Sequence, residues 1–403
     1  MNQNVIDQFP SLSNKYNGKR AIFLDGPAGV QVPDSVINAI SDYYRQSNAN
    51  THGAFATTQQ TDIMMQETRE ACAIFLNAES YACISFGQNM TSLNFSLSKA
   101  IGRLLQEGDE IIITQLDHES NRGPWLRLQD EGIIIKEVEI SKNGVLNYYD
   151  LEAKINAKTK LVCMGIASNY TGTVNDVERV RKISYKHGAM LLLDAVHYAP
   201  HFSIDVQALG CDFLLCSAYK FYGPHVGILY AKPGLMDSLD TDLPNTADQR
   251  APYNIETGTL NHAAIAGVKA CIEFIASLGS GSNLREQLIS AYGLIEDHER
   301  KLASELYDYL WYSTKYKIVG PDYIGKRAPT VSFLSKTHQS KGLCEQLSMQ
   351  NIFAWDGHFY AKRASQVLGN EEKGGVTRMG MSVYTREEDV KETIMRLKQI
   401  AKN

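Results

Sequence analysis

Short apolar runs alternate with amphipathic stretches between about residues 80 and 235. Tyr81–Phe86, Glu110–Thr114, Ile133–Val138, Lys160–Ile166, Ala189–Asp194, Asp212–Cys216 and Val226–Ala231 read as strands. Asn89–Leu105, Glu119–Glu131 and Val174–His187 place apolar residues three and four apart, the spacing of a helix with one buried face. Runs such as Leu191-Leu192-Leu193-Asp194 and Phe213-Leu214-Leu215-Cys216 have no polar face. That suits strands covered on both sides. Strand–helix alternation predicts an α/β fold whose mostly parallel central sheet carries helices on both faces.

Beyond residue 260 the pattern changes. Asn261–Leu278 and Ser282–Tyr312 read as long helices, followed by strands at Thr330–Leu334 and Gly375–Val383 and helices at Lys341–Gln350 and Arg386–Lys402. This predicts a smaller C-terminal α+β domain. Residues 21–260 are expected to form the large domain and 261–403 the helical connection and small domain, with 1–20 an arm belonging to the small one. The length of 403 residues suits that division at roughly 100–200 residues per domain. Asp237–Glu256 reads as a long loop, and loops of that length are often functional.

Composition narrows the function classes. Hydrophobic residues make up 44% and charged residues 21%, which suits a chain that buries a core rather than a disordered one. A net charge of −5, with no Lys/Arg run, argues against nucleic-acid binding. No stretch reaches the ~20 apolar residues of a membrane span, and Met1–Arg20 lacks a signal-peptide core. Seven cysteines without close pairs fit neither a disulfide framework nor a metal site. The expectation is a reduced, cytoplasmic, metal-free protein.

Ligands of open parallel sheets bind beyond the carboxyl ends of the strands. Five predicted strand ends deliver polar or ionisable residues: Gly87-Gln88-Asn89-Met90-Thr91, Asp117-His118-Glu119-Ser120-Asn121, Ser168-Asn169-Tyr170-Thr171-Gly172, Asp194 with His197, and Ser217 with Tyr219 and Lys220. A lysine held among apolar groups has a lowered pKa and becomes a nucleophilic amine. Lys220 is such a candidate, and the natural partner of its amine is the aldehyde of pyridoxal 5′-phosphate. That cofactor needs a carboxylate for its ring nitrogen. Asp194, ending a buried strand, fits. Asn89, Met90 and Thr91 supply backbone N–H groups and Ser217 a hydroxyl for the phosphate. His118 is suited to stack on the ring, and Asn169 and His197 to hydrogen-bond its phenolic oxygen.

Each residue alone has a plainer explanation. A lone loop lysine is usually solvated, and an aspartate after a strand is usually a helix cap. His118 alone is more often a satisfied polar residue, and Gly87–Thr91 a generic turn. Asn89-Met90-Thr91 and Asn169-Tyr170-Thr171 match the glycosylation sequon, by chance in a cytoplasmic chain. Only the ordered set favours chemistry.

The set resembles the class V aminotransferases, pyridoxal phosphate enzymes of fold type I, and within them the cysteine desulfurase-like group. The similarity runs nearly end to end, from Phe23-Leu24-Asp25-Gly26-Pro27-Ala28-Gly29 to the last helix. Ser217-Ala218-Tyr219-Lys220 is similar to the family's Ser-x-His-Lys segment, and Asp194-Ala195-Val196-His197 to its Asp-x-Ala-Gln segment. Asp117-His118 with Pro124-Trp125 resembles the stretch whose histidine stacks on the cofactor. Glu256-Thr257-Gly258-Thr259 resembles the segment that donates a phosphate ligand across a dimer interface, which implies Thr259 in that role and a homodimer. Arg378 matches the arginine that binds a substrate α-carboxylate, a task suited to two parallel guanidinium hydrogen bonds.

The departures are equally specific. Gln88-Asn89-Met90 replaces the family's Gly-Thr-Thr turn, and Tyr219 replaces its histidine. In the loop Trp355-Asp356-Gly357-His358-Phe359-Tyr360, Tyr360 stands where the resemblance places a sulfur-accepting cysteine. A phenol cannot carry persulfide sulfur. The resemblance implies a lyase or transferase acting on an amino acid, most simply cleaving a C–S bond of cysteine or a cysteine derivative. The cofactor would join the substrate amine in a Schiff base, with Lys220 as base and His358 and Tyr360 on the substrate side. The alternatives are transamination or epimerisation of another amino acid, and a non-catalytic partner protein of the same fold.

Overall fold

The computed structural model describes residues 3–402, so the expected arm of residues 1–20 begins outside it. Two of the longer helices precede the central sheet: α1 (Asp34–Gln46) and α2 (Ala56–Leu76). The sheet and the helices between its strands follow in chain order: β1 (Ile84–Gly87), α3 (Met90–Gly102), β2 (Glu110–Thr114), α4 (Glu119–Leu126), β3 (Ile134–Val138), β4 (Thr159–Gly165), α5 (Val177–Lys186), β5 (Met190–Asp194), β6 (Phe213–Ser217) and β7 (Gly227–Ala231). The strand order is β1-β7-β6-β5-β4-β2-β3, and only β7 runs antiparallel to its neighbours.

Side-chain alternation divides the core into two layers. Ile112, Val162, Met164, Leu191, Leu193, Leu214 and Cys216 face one layer, with α2 and later helices. Ile111, Ile113, Leu161, Cys163, Leu192, Phe213 and Leu215 face the other, with α3 and Trp125. Residues of period two thus bury both faces, which is why these strands read as unbroken apolar runs.

Two long helices lead onward: α6 (His262–Ser277) and α7 (Leu284–Tyr312). At ~1.5 Å per residue, α7 is about 43 Å long. Its first half gives Leu288, Ala291 and Ile295 to the large core, and its second half gives Leu302, Leu306 and Leu310 to a separate one. That second core belongs to β8 (Tyr316–Val319), β9 (Thr330–Ser335), α8 (Ser340–Ser348), β11 (Val376–Gly380) and α9 (Glu387–Ile400), while β10 (Trp355–Gly357) joins the same sheet without adding a residue to the core. The small sheet has the order β8-β9-β11-β10 and is antiparallel throughout. Near the N-terminus, Val5, Ile6, Phe9 and Leu12 pack with the large core, whereas Ile22 and Leu24 join the small one.

Each predicted helix and strand has a counterpart shifted by a few residues. Tyr81–Cys83 is a 3-10 turn before β1, because only Ile84–Gly87 pairs with β7. The apolar pattern assigns no element to α1, α2, β8 or β10. The seven cysteines are buried and unpaired. Among the described residues no helix is long and apolar enough to cross a membrane.

Candidate active site

Strand register brings the predicted residues to one edge of the sheet. Gly227, at the start of β7, pairs with both Gly87 and Ser217, and Asp194 pairs with Gly165 and Leu215. The carboxyl ends of β1, β6, β5 and β4 therefore stand side by side. They open into a cavity of about 1150 Å³ closed on the far side by residues 355–360 and Arg378.

Lys220 follows β6 in a single 3-10 turn, and its Nζ donates to the carbonyls of Pro27 and Ala28 at 2.7 and 2.8 Å. Burial pushes its pKa down to about 7, Arg378 adds to the shift, and Asp194 opposes it. A large part of the amine is therefore neutral near pH 7, the form that attacks an aldehyde or takes a proton. Asp194 is buried at the end of β5, where Oδ1 accepts from the Val196 N–H at 2.9 Å. Burial raises its pKa to about 7, and a cationic donor opposite would bring it down again.

His118 is the N-cap of α4, with Nδ1 accepting from the Ser120 N–H at 3.1 Å. Burial lowers its pKa to about 4, so the ring is neutral. His197 is buried and neutral for the same reason; its Nε2 lies 2.9 Å from Thr330 Oγ1, and Nδ1 has no partner. Ser217 Oγ accepts from the Met90 N–H at 3.0 Å, tying β6 to the start of α3. Asn89 caps that helix through Ser92 N, and Asn89, Met90 and Thr91 line the cavity.

Arg378 comes from β11 and is buried. Its Nη1 donates to Asn169 O at 2.9 Å, Nε has no partner, and its guanidinium lies 3.7 Å from the centroid of Phe359. Asn169 Nδ2 donates to Phe359 O at 2.9 Å, and Tyr360 O accepts from the Glu119 N–H at 2.7 Å. The loop after β10 is thereby clamped across the cavity. His358 lines it, with Nδ1 accepting from Tyr360 N, and the Tyr360 ring tilts over His118 at 5.4 Å. Among the described residues no thiol lines the cavity.

Two expected residues stand elsewhere. Gln88 is exposed in the turn before α3 and is not among the lining residues. Thr259 is exposed and borders a separate depression of about 340 Å³ with Tyr43, Tyr44 and His262. A buried ion pair fixes that segment: Arg69 donates to Glu256 Oε2 at 2.6 Å, while Oε1 accepts from the Phe86 N–H. Sequence reasoning singled out neither Phe359 nor His225, both of which line the cavity. Phe359 had a signal in its place within the loop. His225 had only its position after Gly223-Pro224.

The profile of the family described as Aminotransferase class-V matches residues 22–393. The chain belongs to the aminotransferase class V family. A protein of Halalkalibacterium halodurans named "Probable cysteine desulfurase" is 31% identical over 97% of this chain and 96% of its own. The apo structure of the cysteine desulfurase from Thermococcus onnurineus superposes with a TM-score of 0.89 at 27% identity, over 99% of this chain and 98% of that one. The fold is also that of a cysteine desulfurase from Escherichia coli, with a TM-score of 0.85 at 24% identity over 98% of this chain and 97% of that one.

This class V protein is an enzyme that uses pyridoxal 5′-phosphate. Its cavity fits the group. Lys220 offers the amine, Asp194 a carboxylate, His197 an unpartnered buried ring nitrogen, and the start of α3 the open N–H of Thr91, those of Asn89, Met90 and Ser92 being taken within the chain.

Proposed function

We propose that this class V enzyme cleaves the C–S bond of cysteine or a cysteine derivative. The observation that carries the reading is Lys220, an amine tuned towards neutrality in one cavity with Asp194 and Arg378. The sulfur substrate is inferred from relatives named cysteine desulfurases along their whole length.

Bound pyridoxal phosphate supplies an electron sink for the pair left when the substrate loses its α-proton. Arg378 orients the substrate by its α-carboxylate through two parallel hydrogen bonds. Lys220 Nζ would take the α-proton as general base. Asp194 as carboxylate holds a proton on the ring nitrogen, and neutral His118 offers its face to the ring. His197 supplies a hydrogen bond for the phenolic oxygen. Tyr360 and Phe359 cover the side where sulfur would leave.

We read residues 21–260 and 261–403 as the two domains, with Ile22 and Leu24 and the first half of α7 packing across that division, and a homodimer as the working form. Thr259 lies outside its own chain's cavity, beside exposed Tyr44 on α1, and Phe55 and Ile63, before and within α2, are exposed apolar side chains as well. A second copy covering this face would remove apolar area from water and bring Thr259 to its neighbour's phosphate site. Seven unpaired thiols favour a reducing compartment, and we place the enzyme in the cytoplasm.

The test is to supply cysteine, cystine and cysteine sulfoxides to the holoenzyme and assay pyruvate, sulfide and alanine together. Pyruvate with ammonia identifies a C–S lyase. Alanine with sulfide or persulfide identifies desulfuration with an acceptor outside the loop. No product, and no change in the cofactor spectrum, would sink the sulfur reading.

A further inference from the structure

We propose that His225 is a ligand for the cofactor phosphate, in a cradle shared with Tyr219 and Thr91. The inference rests on the pyridoxal phosphate assignment and adds a residue to that site. The start of α3 is poorer in free donors than a helix N-terminus usually is. Met90 N–H is taken by Ser217 Oγ, and Ser92 N–H by Asn89 Oδ1. Of these three, only Thr91 N–H shows no partner, and its hydroxyl makes no hydrogen bond to any described residue. One N–H and a few hydroxyls are a weak match for a phosphate dianion, which binds best to charged donors.

The cations around the cavity are committed. Lys220 belongs to the aldehyde, and Arg378 stands on the small sheet against Asn169 and Phe359. His118 and His197 are neutral through burial.

His225 is placed to fill this gap. The Ala218 N–H donates to Val226 O at 2.9 Å, and Gly227 lies so close to Asn89 that a Cβ there would stand 2.4 Å from its carbonyl carbon. The chain just before Gly227 therefore runs beside the first turn of α3. The ring of His225 stacks on Tyr219 with centroids 4.6 Å apart and an interplanar angle of 6°. Both rings line the cavity. Neither the Tyr219 hydroxyl nor either nitrogen of His225 hydrogen-bonds to any described residue. The stack fixes the imidazole plane, and the exposed ring faces the cavity. An imidazolium beside a phosphate makes a charge-assisted hydrogen bond, which is stronger than a neutral one.

The experiment compares two probes that differ only in the phosphate. The full-length protein, freed of cofactor, is titrated with pyridoxal 5′-phosphate and separately with pyridoxal, following visible absorbance of the Schiff base with Lys220. His225→Ala is expected to weaken pyridoxal phosphate roughly ten-fold or more while changing pyridoxal less than about two-fold. His225→Lys should recover most of the loss. Pyridoxal binding also reports that the variant is folded. Equal weakening of both probes, or full discrimination in His225→Ala, overturns the role of His225 and leaves the cofactor assignment standing. A wild-type protein that binds neither probe overturns both.

Discussion

The two walls of the cavity are held in different ways. The wall at the strand ends is built on backbone pairing: Asp194, Ser217 and Gly227 are fixed by register within a seven-stranded sheet. The opposite wall, residues 355–361, hangs from one short strand and a few polar contacts across the cavity. Phe359 and Tyr360 are both left-handed, with φ of 50° and 57°. That region is costly for residues with a Cβ, at about 1 kcal/mol or more each. Rigid scaffolding carries the groups common to cofactor chemistry, while a strained and more exposed loop carries those that meet the substrate side chain.

The largest expected effects lie on the strand-end wall. Lys220→Ala should lower turnover at least ~10³-fold, because the nucleophile and the base are lost together. It should also abolish the visible Schiff-base absorbance of the holoenzyme. Retained turnover would remove Lys220 from the chemistry and erase the contrast between the walls.

Asp194→Asn should cost about 10²-fold or more in kcat, since an amide cannot keep the ring nitrogen protonated. Its effect on the cofactor-free protein has the opposite sign. Burial raises the folded pKa of Asp194 to about 7, against ~3.9 unfolded. The folded state then binds more protons than the unfolded state between those values. The stability contribution is fully present below pH 4 and is lost as pH rises through 7. An amide at this position does not titrate and suffers no such loss, so the variant should exceed wild type by on the order of 4 kcal/mol above pH 7. Near pH 4 the two should be equal. Denaturant melts at both pH values check this, and a variant less stable at pH 8 would rule out a buried, destabilised carboxylate.

Much of this wall was legible from sequence because strand ends follow from apolar runs. Asp194 closes one run and Lys220 stands just past another. Less was legible where packing rather than pattern decides. Helix α2 carries Thr58, Thr61, Thr68 and Arg69 among its buried residues, so its buried face does not look apolar. Strands β8 and β10 have only four and three residues, too few to show a period. Gln88 precedes a helix cap by one residue, and no pattern tells that it faces outward. The stack of His225 on Tyr219 joins residues six apart across a turn, which neither helical nor strand periodicity reveals.

Arg378 links the two walls. Arg378→Lys keeps the charge and loses the planar fork. It should lower kcat/KM roughly 10- to 100-fold for substrates with an α-carboxylate, mostly through KM. Amino-acid amides, which lack that carboxylate, should lose much less. An equal loss for acids and amides would mean that Arg378 acts by holding the loop, not by gripping the carboxylate.

The smallest effect tests the strain in the loop directly. Phe359 packs its ring over Arg378, a contact worth roughly 0.5–2 kcal/mol, and adopts a conformation that glycine takes without penalty. Phe359→Ala loses the ring and keeps the Cβ clash. Phe359→Gly loses the ring and the clash, at an added cost of ~0.5–1 kcal/mol in chain entropy. With strain of about 1–2 kcal/mol at this residue, glycine should match or exceed alanine in stability, by up to ~1 kcal/mol. In an ordinary extended or helical segment alanine wins by a similar margin. Both variants should raise KM a few-fold, because each uncovers the guanidinium that Phe359 now shields. Alanine clearly more stable than glycine would mean that the left-handed turn is not held in solution. The loop would then owe its place over the cavity to its contacts with Asn169 and Glu119 alone.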